Sequence, residues 1–327
     1  MSRVSVLIAV YNACTHLRAC LDSLIAQTHE DFQAVCIDDA STDSSLVILQ
    51  EYARRDYRFK IVEMGQNVGQ ARARNEGLKW VDGTYTCMLD SDDWLAPDAL
   101  ETALKVFADH PKTDCVLFDL RYVYENGKTE AYPYPIAGLY TGNEAFRLSL
   151  DWRIHGVYMI RTHLHKEIPY DTSCRLFSDD NTTRLHYLAS REVSASNAIY
   201  YYRQHEGSST HAVSIKHFDR LTADASMRKS LMDLQVIDED LDLFERYRWL
   251  VVIDSYRYHY IHRSRFSREE SKYALRLIKR SIATIEFHRI PIRLRLKFGY
   301  IPFKRAWLLF RMEEELYFGL KKRFGRL

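Results

Sequence analysis

Asp90, Asp92 and Asp93 stand within four positions in the stretch MLDSDDWL, where an apolar run ends. Like charges so close together repel. They become tolerable when a divalent cation sits among them, and hard oxygen ligands suit Mg²⁺ or Mn²⁺, ions that usually bring a phosphate with them. A second acidic pair, Asp38 and Asp39, ends the run FQAVCIDD, and a third, Asp179 and Asp180, stands at the head of SDDNTTRLHYLAS. For any single loop the alternative is plain helix capping, which Asp and Ser do well. Two acidic run-ends on one sheet favour the cation.

That argument needs a sheet, and the first hundred residues supply its pattern. VSVLIAV (4–10), FQAVCIDD (32–39), FKIVEM (59–64) and TYTCMLD (84–90) read as strands. Between them THLRACLDSLIAQ (15–27), SSLVILQEYARR (44–55) and GQARARNEGLKWV (69–81) carry helical spacing, and PDALETALKVFADH (97–110) follows with proline in its first turn. Strands alternating with single helices imply an α/β fold, a mostly parallel Rossmann-like sheet flanked by helices. Ligands of such sheets bind outside the carboxyl ends of the strands, so Asp39, Asp90 and Asp92 are expected to line one crevice.

The middle of the chain changes character. Residues 114–134 read as two strands around an Asn-Gly turn. TGNEAFRLSL opens with a capping box, Thr141 facing Glu144. A helix over 179–190 and a strand over 192–205 follow, and from about 212 the pattern is helical only, which sets a boundary near 210.

The totals fit a globular protein: 327 residues, 46% of them hydrophobic, with no low-complexity tract. Six cysteines lie scattered without a CxxC pair and read as free, mostly buried thiols of a reducing compartment. The N-terminal apolar run leads straight into a polar turn and a helix, so a strand explains it better than a signal peptide, and no run approaches a membrane span of about 18 residues. A cytoplasmic protein is the expectation.

No GxGxxG follows the first strand, and no GxxxxGK[ST] occurs anywhere, which argues against a dinucleotide dehydrogenase and a P-loop NTPase. Phosphate would have to be held by other means, and a carboxylate-bound metal is one. In order along the chain, VSVLIAVYN, SLIAQTHEDFQAVCIDDASTDSS, NVGQARARNEGL, GTYTCMLDSDDWLAPDAL, SDD and YYRQHEGSST closely resemble the family 2 inverting glycosyltransferases of the GT-A fold. The strong part covers residues 3–110 and a weaker part runs to about 210.

The resemblance implies a metal-dependent enzyme that moves a sugar from a nucleotide diphosphate donor, UDP in the first place, to a saccharide or lipid-linked saccharide acceptor in cell-surface polysaccharide or glycolipid synthesis. Residues 1–112 would form the nucleotide-sugar half, 113–210 the acceptor half and 211–327 a helical C-terminal region. Ala9 and Tyr11 would flank the base, Asp39 would bond its edge, and Arg74 would lie near base and diphosphate. Asp90, Ser91 and Asp92 match the DxD motif: Asp92 as direct ligand of Mn²⁺ or Mg²⁺, Asp90 beside the ribose or a metal-bound water. His205 matches a position that reaches metal or diphosphate, and Arg203 is a further cation for the leaving group. Asp180 matches the catalytic base, while Asp179 stands where glutamate is commoner, so both are candidates.

Each residue also has a plainer reading. Asp179 and Asp180 could cap their helix, His205 could be a surface histidine, and Arg74 an ordinary solvated helix position. At the level of the whole protein the alternatives are a sugar nucleotidyltransferase, which would want a glycine-rich basic loop that AVYNACTHL lacks, or a non-catalytic nucleotide-sugar binder.

Residues 288–327 hold 11 Lys and Arg against three Glu, a charge of +8, in a chain whose total is +2. Interleaved with Trp307, Leu308, Phe310, Leu316, Phe318 and Leu320, this basic tail reads either as an amphipathic element lying on the anionic inner face of a membrane or as a helix packed on its own protein. The acidic remainder makes nucleic acid a poor partner.

Overall fold

The structure, a computed structural model, describes residues 3–205, 213–297 and 306–325. Residues 206–210 of the YYRQHEGSST motif and 298–305 of the tail lie outside the described residues. The chain forms two compact units, one of residues 1–172 with 182–212, the other of 173–181 with 213–327.

The first unit is built on one ten-stranded mixed sheet. In chain order it contains β1 (Val4–Val10), α1 (Leu17–Ile25), β2 (Phe32–Asp38), α2 (Ser45–Arg55), β3 (Phe59–Glu63), α3 (Gln70–Leu78), β4 (Tyr85–Met88), β5 (Trp94–Leu95) and α4 (Ala99–Asp109). Next come β6 (Thr113–Tyr124), β7 (Thr129–Ala131), β8 (Leu139–Thr141), α5 (Gly142–Ser149), β9 (Tyr158–Arg161), α6 (Thr162–Glu167), α7 (Ser178–Ala189) and β10 (Glu192–Gln204).

Strand order is β3-β2-β1-β4-β9-β6-β10-β5, with β7 on β6 and β8 on β10. The pairs among β1, β2, β3 and β4 are parallel, and so is β6 with β10. Strand β9 runs antiparallel between β4 and β6, so β1, β2, β4, β6 and β10 all point the same way and finish at one edge. The parallel strands expected from the sequence are present in β1–β4 and in the β6–β10 pair, and β5, β7, β8 and β9 add antiparallel pairings that make the sheet mixed. The four residues of β9, Tyr-Met-Ile-Arg, were too short a run to read in advance.

Burial follows the pleat. Val6 and Ile8 of β1 pack with α1 and α4 on one side, while Leu7 turns to α3 on the other. Helix α3 lies close because of Gly77: a Cβ there would stand 2.5–2.9 Å from the Ile37 and Leu7 side chains. The β6–β7 hairpin turns at Asn126–Gly127, and the Thr141–Glu144 capping box opens α5 as expected. All six cysteines are free; burial pushes the Cys36 and Cys87 thiols up to about 12.

Among the described residues 213–297 and 306–325 are helical only: α8 (Asp219–Asp233), α9 (Asp238–His262), α10 (Arg268–Thr284), α11 (Ile292–Lys297) and α12 (Trp307–Arg323), with short 3₁₀ turns. Trp249, Tyr256, Ile278 and Phe318 centre its core. Buried Glu245 accepts hydrogen bonds from Arg228 at 2.9 Å and Arg248 at 2.7 Å, so its charge is compensated. No described helix is long and apolar enough to cross a membrane.

Candidate active site

The loops after β1 and β2 are knitted together. Thr42 N–H donates to Asn12 Oδ1 at 2.8 Å, and Asn12 N–H to Ser41 Oγ at 3.1 Å. Asp43 accepts from Cys14 N–H at 3.1 Å and Ser45 N–H at 2.9 Å. Burial alone would raise the Asp43 pKa, but the bonds from Ser45 and Cys14 outweigh it and bring it down to about 2. Asn12 and Ala40 hold φ of 51° and 59°, left-handed backbone that a β-carbon disfavours. Such strain concentrates where loop geometry matters for a site.

Asp39 is buried and engages the loop ahead of α3. Its Oδ1 accepts Val68 N–H at 2.8 Å, and its Oδ2 accepts Gly69 N–H at 2.8 Å and Asn67 Nδ2 at 3.0 Å. Gly69 has a φ of 88°, which glycine alone takes cheaply. A carboxylate has about four lone-pair positions, so Asp39 keeps room for one more donor beside its loop. Its neighbour Asp38, to which the sequence reading gives no role of its own, accepts from Ser41 N–H through Oδ2, while its buried Oδ1 has no partner among the described residues. The repeated acid in IDD was the available signal. Ala9, half-buried, pairs with Ile37, and Tyr11 beyond it is exposed.

The acids of MLDSDDWL separate into three environments. Asp90 forms an ion pair with Arg74, Oδ1 to Nη2 at 2.5 Å; the guanidinium is buried and lies 5.4 Å from the Tyr170 ring. Arg74 thus ties α3 to the end of β4 rather than standing solvated. Asp92 Oδ2 meets His205 Nε2 at 3.0 Å, joining the end of β4 to the end of β10. Ser91, half-buried, sits in the turn that Asp93 N–H closes by donating to the Asp90 carbonyl at 3.1 Å.

Asp93 accepts Arg203 N–H at 2.7 Å and Tyr200 O–H at 2.8 Å, bonding to β10. Burial, then the Asp90 and Asp92 charges, raise its pKa well above the carboxylate range. Arg203 completes the junction, donating through Nε to the Asp92 carbonyl at 2.8 Å and covering the Trp94 ring at 4.5 Å. His16 also belongs here, its ring 5.2 Å from His205 and its pKa lowered by burial and then by Arg203 and His205. Nothing around His16 in the sequence marked it.

Among the described residues no three His, Cys, Asp or Glu side chains gather as a metal cluster. The proposed set of Asp92, His205 and Asp90 reduces to the Asp92–His205 pair, because Asp90 is engaged by Arg74. Two protein ligands still fit Mg²⁺ or Mn²⁺ on a nucleotide, since such ions keep several waters and take one or two protein groups plus substrate phosphate oxygens.

Asp179 and Asp180 lie in the first turn of α7, whose residues 178–181 belong to the second unit and the rest to the first. Phe177, just ahead of them, has a φ of 66°, an outlier for an aromatic residue. Asn181 Nδ2 donates to the Ala223 carbonyl on α8 at 2.7 Å, which holds that first turn.

Comparison with known proteins adds four results. Residues 5–177 match the model of a family described as Glycosyl transferase family 2. Glycosyltransferase GlyA of Streptococcus pneumoniae is 39% identical over 108 residues, 33% of this chain and 15% of that protein. The poly(ribitol-phosphate) beta-glucosyltransferase of Bacillus spizizenii is 30% identical over 208 residues, 61% of this chain and 32% of that protein. The chain thus spans a third or less of these relatives. Among solved structures, S. aureus TarS 1–349 in complex with UDP-GlcNAc superposes with a TM-score of 0.76 at 20% identity, covering 99% of this chain and 92% of that one; the fold is shared.

Proposed function

Since the chain belongs to glycosyl transferase family 2, we propose that it moves a sugar from a nucleotide diphosphate donor, UDP in the first place, to a saccharide or lipid-linked saccharide hydroxyl with inversion at the anomeric carbon. The observation that carries this reading is the Asp92–His205 contact, which sets a carboxylate and an imidazole together at the strand ends where a diphosphate would bind. The name of one relative, a poly(ribitol-phosphate) beta-glucosyltransferase, supports a polymer as acceptor.

The sugar hydroxyl is a weak nucleophile, so a carboxylate must take its proton as it attacks; Asp180 is assigned that task, with Asp179 beside it. Inversion requires this base and the leaving group on opposite faces of the sugar. A Mn²⁺ or Mg²⁺ ion held by Asp92 and His205 would supply positive charge to the departing diphosphate. Arg203, placed by its bonds to the Asp92 carbonyl and the Trp94 face, adds a further cation. Asp39 and the free Oδ1 of Asp38 are acceptors for the base edge, with Ala9 and Tyr11 alongside, and the Arg74–Asp90 pair sets the loop carrying Ser91 and Asp92.

A screen of nucleotide sugars for transfer or hydrolysis, with and without chelator, tests this. Activity with one donor, its loss on chelation and its recovery with Mn²⁺ or Mg²⁺ are expected. His205→Ala should lower the rate by about 10²–10³-fold. No nucleotide-sugar binding with any donor overturns the reading.

The tail is assigned to an anionic membrane surface. On α12 the residues Leu308, Met312, Leu316 and Leu320 recur every four positions and are 71, 68, 66 and 47% exposed, while Phe310, Glu314 and Phe318 face inward. The exposed stripe is apolar along its length and ends at Lys321, Lys322 and Arg323. Cations beside an apolar stripe match an anionic headgroup layer, each worth about 1 kcal/mol near the surface. The protein should float with phosphatidylglycerol vesicles and not with phosphatidylcholine alone, and Met312→Glu with Leu316→Glu should abolish it. Absence of flotation defeats the assignment, and self-association lost in the same variant would give the stripe to a second copy of the chain.

A further inference from the structure

A cavity of about 170 Å³ opens between the middle of β6, the bulge of β10 and the segment after β7. The donor chemistry described above uses none of its lining, which includes Asp119, Tyr132, Tyr134, His155, Ser196 and Asn197. The volume is well below the range of about 300–1,000 Å³ found for drug-sized ligands, so it suits a single ring.

The back wall is rigid. Tyr132 donates its hydroxyl to the Trp152 carbonyl, and its ring meets His155 edge-on at 4.9 Å. His155 Nδ1 accepts Val157 N–H at 3.2 Å, which leaves the ring proton on Nε2. Burial takes this imidazole down to about 4, so it stays neutral at ordinary pH. The floor is the β10 bulge, where pairing with β6 shifts between Ala195 and Ile199. Ser196 Oγ secures it by donating to the Leu117 carbonyl at 2.6 Å. Bulges re-aim side chains, and this one leaves the exposed Asn197 amide without a partner among the described residues.

Two more features define the ligand. Asp119 spends Oδ2 on Arg121 and keeps Oδ1 unpartnered. Tyr134, half-exposed, stands 6.2 Å from the Tyr132 ring as a second aromatic wall. The lining therefore combines aromatic faces, an amide and one carboxylate, with no lysine or arginine. Aromatic faces suit the apolar C–H face of a sugar, a carboxylate and an amide suit its hydroxyls, and the lining offers no lysine or arginine to hold a uronate or phosphate. Ring contacts of 5.9 Å (Tyr202–Tyr122) and 6.2 Å (Tyr122–Tyr132) connect the cavity to the end of β10, where His205 follows.

We infer that this cavity is a saccharide subsite that takes one neutral pyranose ring of the acceptor glycan, its apolar face against Tyr132 and Tyr134 and its hydroxyls on Asp119 and Asn197. The inference rests on the transferase reading for the word acceptor, and on the cavity alone for sugar binding.

Saturation-transfer NMR on the full chain tests it, with the methyl glycosides of glucose, galactose, N-acetylglucosamine and glucuronic acid as probes. At least one neutral glycoside should receive saturation and the glucuronoside none. Tyr134→Ala and Asn197→Ala, both at exposed positions, should each weaken the signal at least about fivefold with unchanged melting. No signal from any neutral glycoside, an equal signal from the glucuronoside, or an undiminished signal in both variants overturns the subsite. Nucleotide sugars on the same sample report on the donor site separately: donor binding without glycoside binding defeats the subsite alone, and the reverse defeats the donor reading while the sugar cavity stands.

Discussion

Asp180→Asn is expected to lower sugar transfer by about 10²–10⁴-fold, the contribution typical of a positioned general base, with nucleotide-sugar affinity little changed. The amide keeps the shape of the side chain and its place in the first turn of α7, so the loss should appear in kcat rather than in KM or in the melting curve. Asp179→Asn separates the two acids. If Asp180 is the base, the Asp179 variant keeps most of the rate, because the neighbouring carboxylate contributes charge and not proton transfer. Full transfer by Asp180→Asn removes the base assignment and leaves the donor site untouched. A large loss in Asp179→Asn with little in Asp180→Asn reassigns the base to Asp179.

Asp93→Ala should be among the most destabilising single changes in the sheet, at about 2–5 kcal/mol. The substitution strands two donors, Arg203 N–H and Tyr200 O–H, in a place closed to water, and each unsatisfied buried group costs about 1–3 kcal/mol. It should also loosen the end of β10 and with it the Asp92–His205 contact, so activity falls together with stability. Asp93→Asn is expected to behave differently. Its amide oxygen can still accept Arg203 N–H, so only the Tyr200 O–H bond is at risk.

The pH dependence follows from the raised pKa. The folded state holds a proton on Asp93 at pH values where the unfolded chain, titrating near 3.8, has already released it. Folding stability then falls as pH rises above about 4 and stops falling only once the folded-state pKa is passed. Asp93→Asn cannot ionise and should flatten that part of the profile. Urea melts of both proteins from pH 4 upward check this. Parallel profiles would mean that Asp93 is ionised in the fold and that the proton is not the compensation for the crowded acids.

The strands, helices and acidic run-ends were legible from local pattern alone. VSVLIAV, FQAVCID and TYTCM carry the apolar density of buried strands, and each is followed by residues too polar for a core, so the parallel part of the sheet and the edge where its acidic ends gather follow from periodicity. The family motifs could likewise be read in order, because each is a short segment with its chemistry inside it.

What no local pattern contained was the partnering of residues far apart in the chain. Asp90, Asp92 and Asp93 are equivalent in sequence, yet one pairs with Arg74 on α3, one with His205 beyond β10 and one with the β10 strand itself. His16 joins them only because β1 and β10 finish at the same edge. The cavity beneath Tyr134 depends on a bulge in β10 meeting the middle of β6. The physical reason is that burial and charge pairing are properties of a position in space: the sequence determined that three carboxylates would crowd a strand end, and only the tertiary structure decided which meets Arg74, which meets His205 and which is buried against β10.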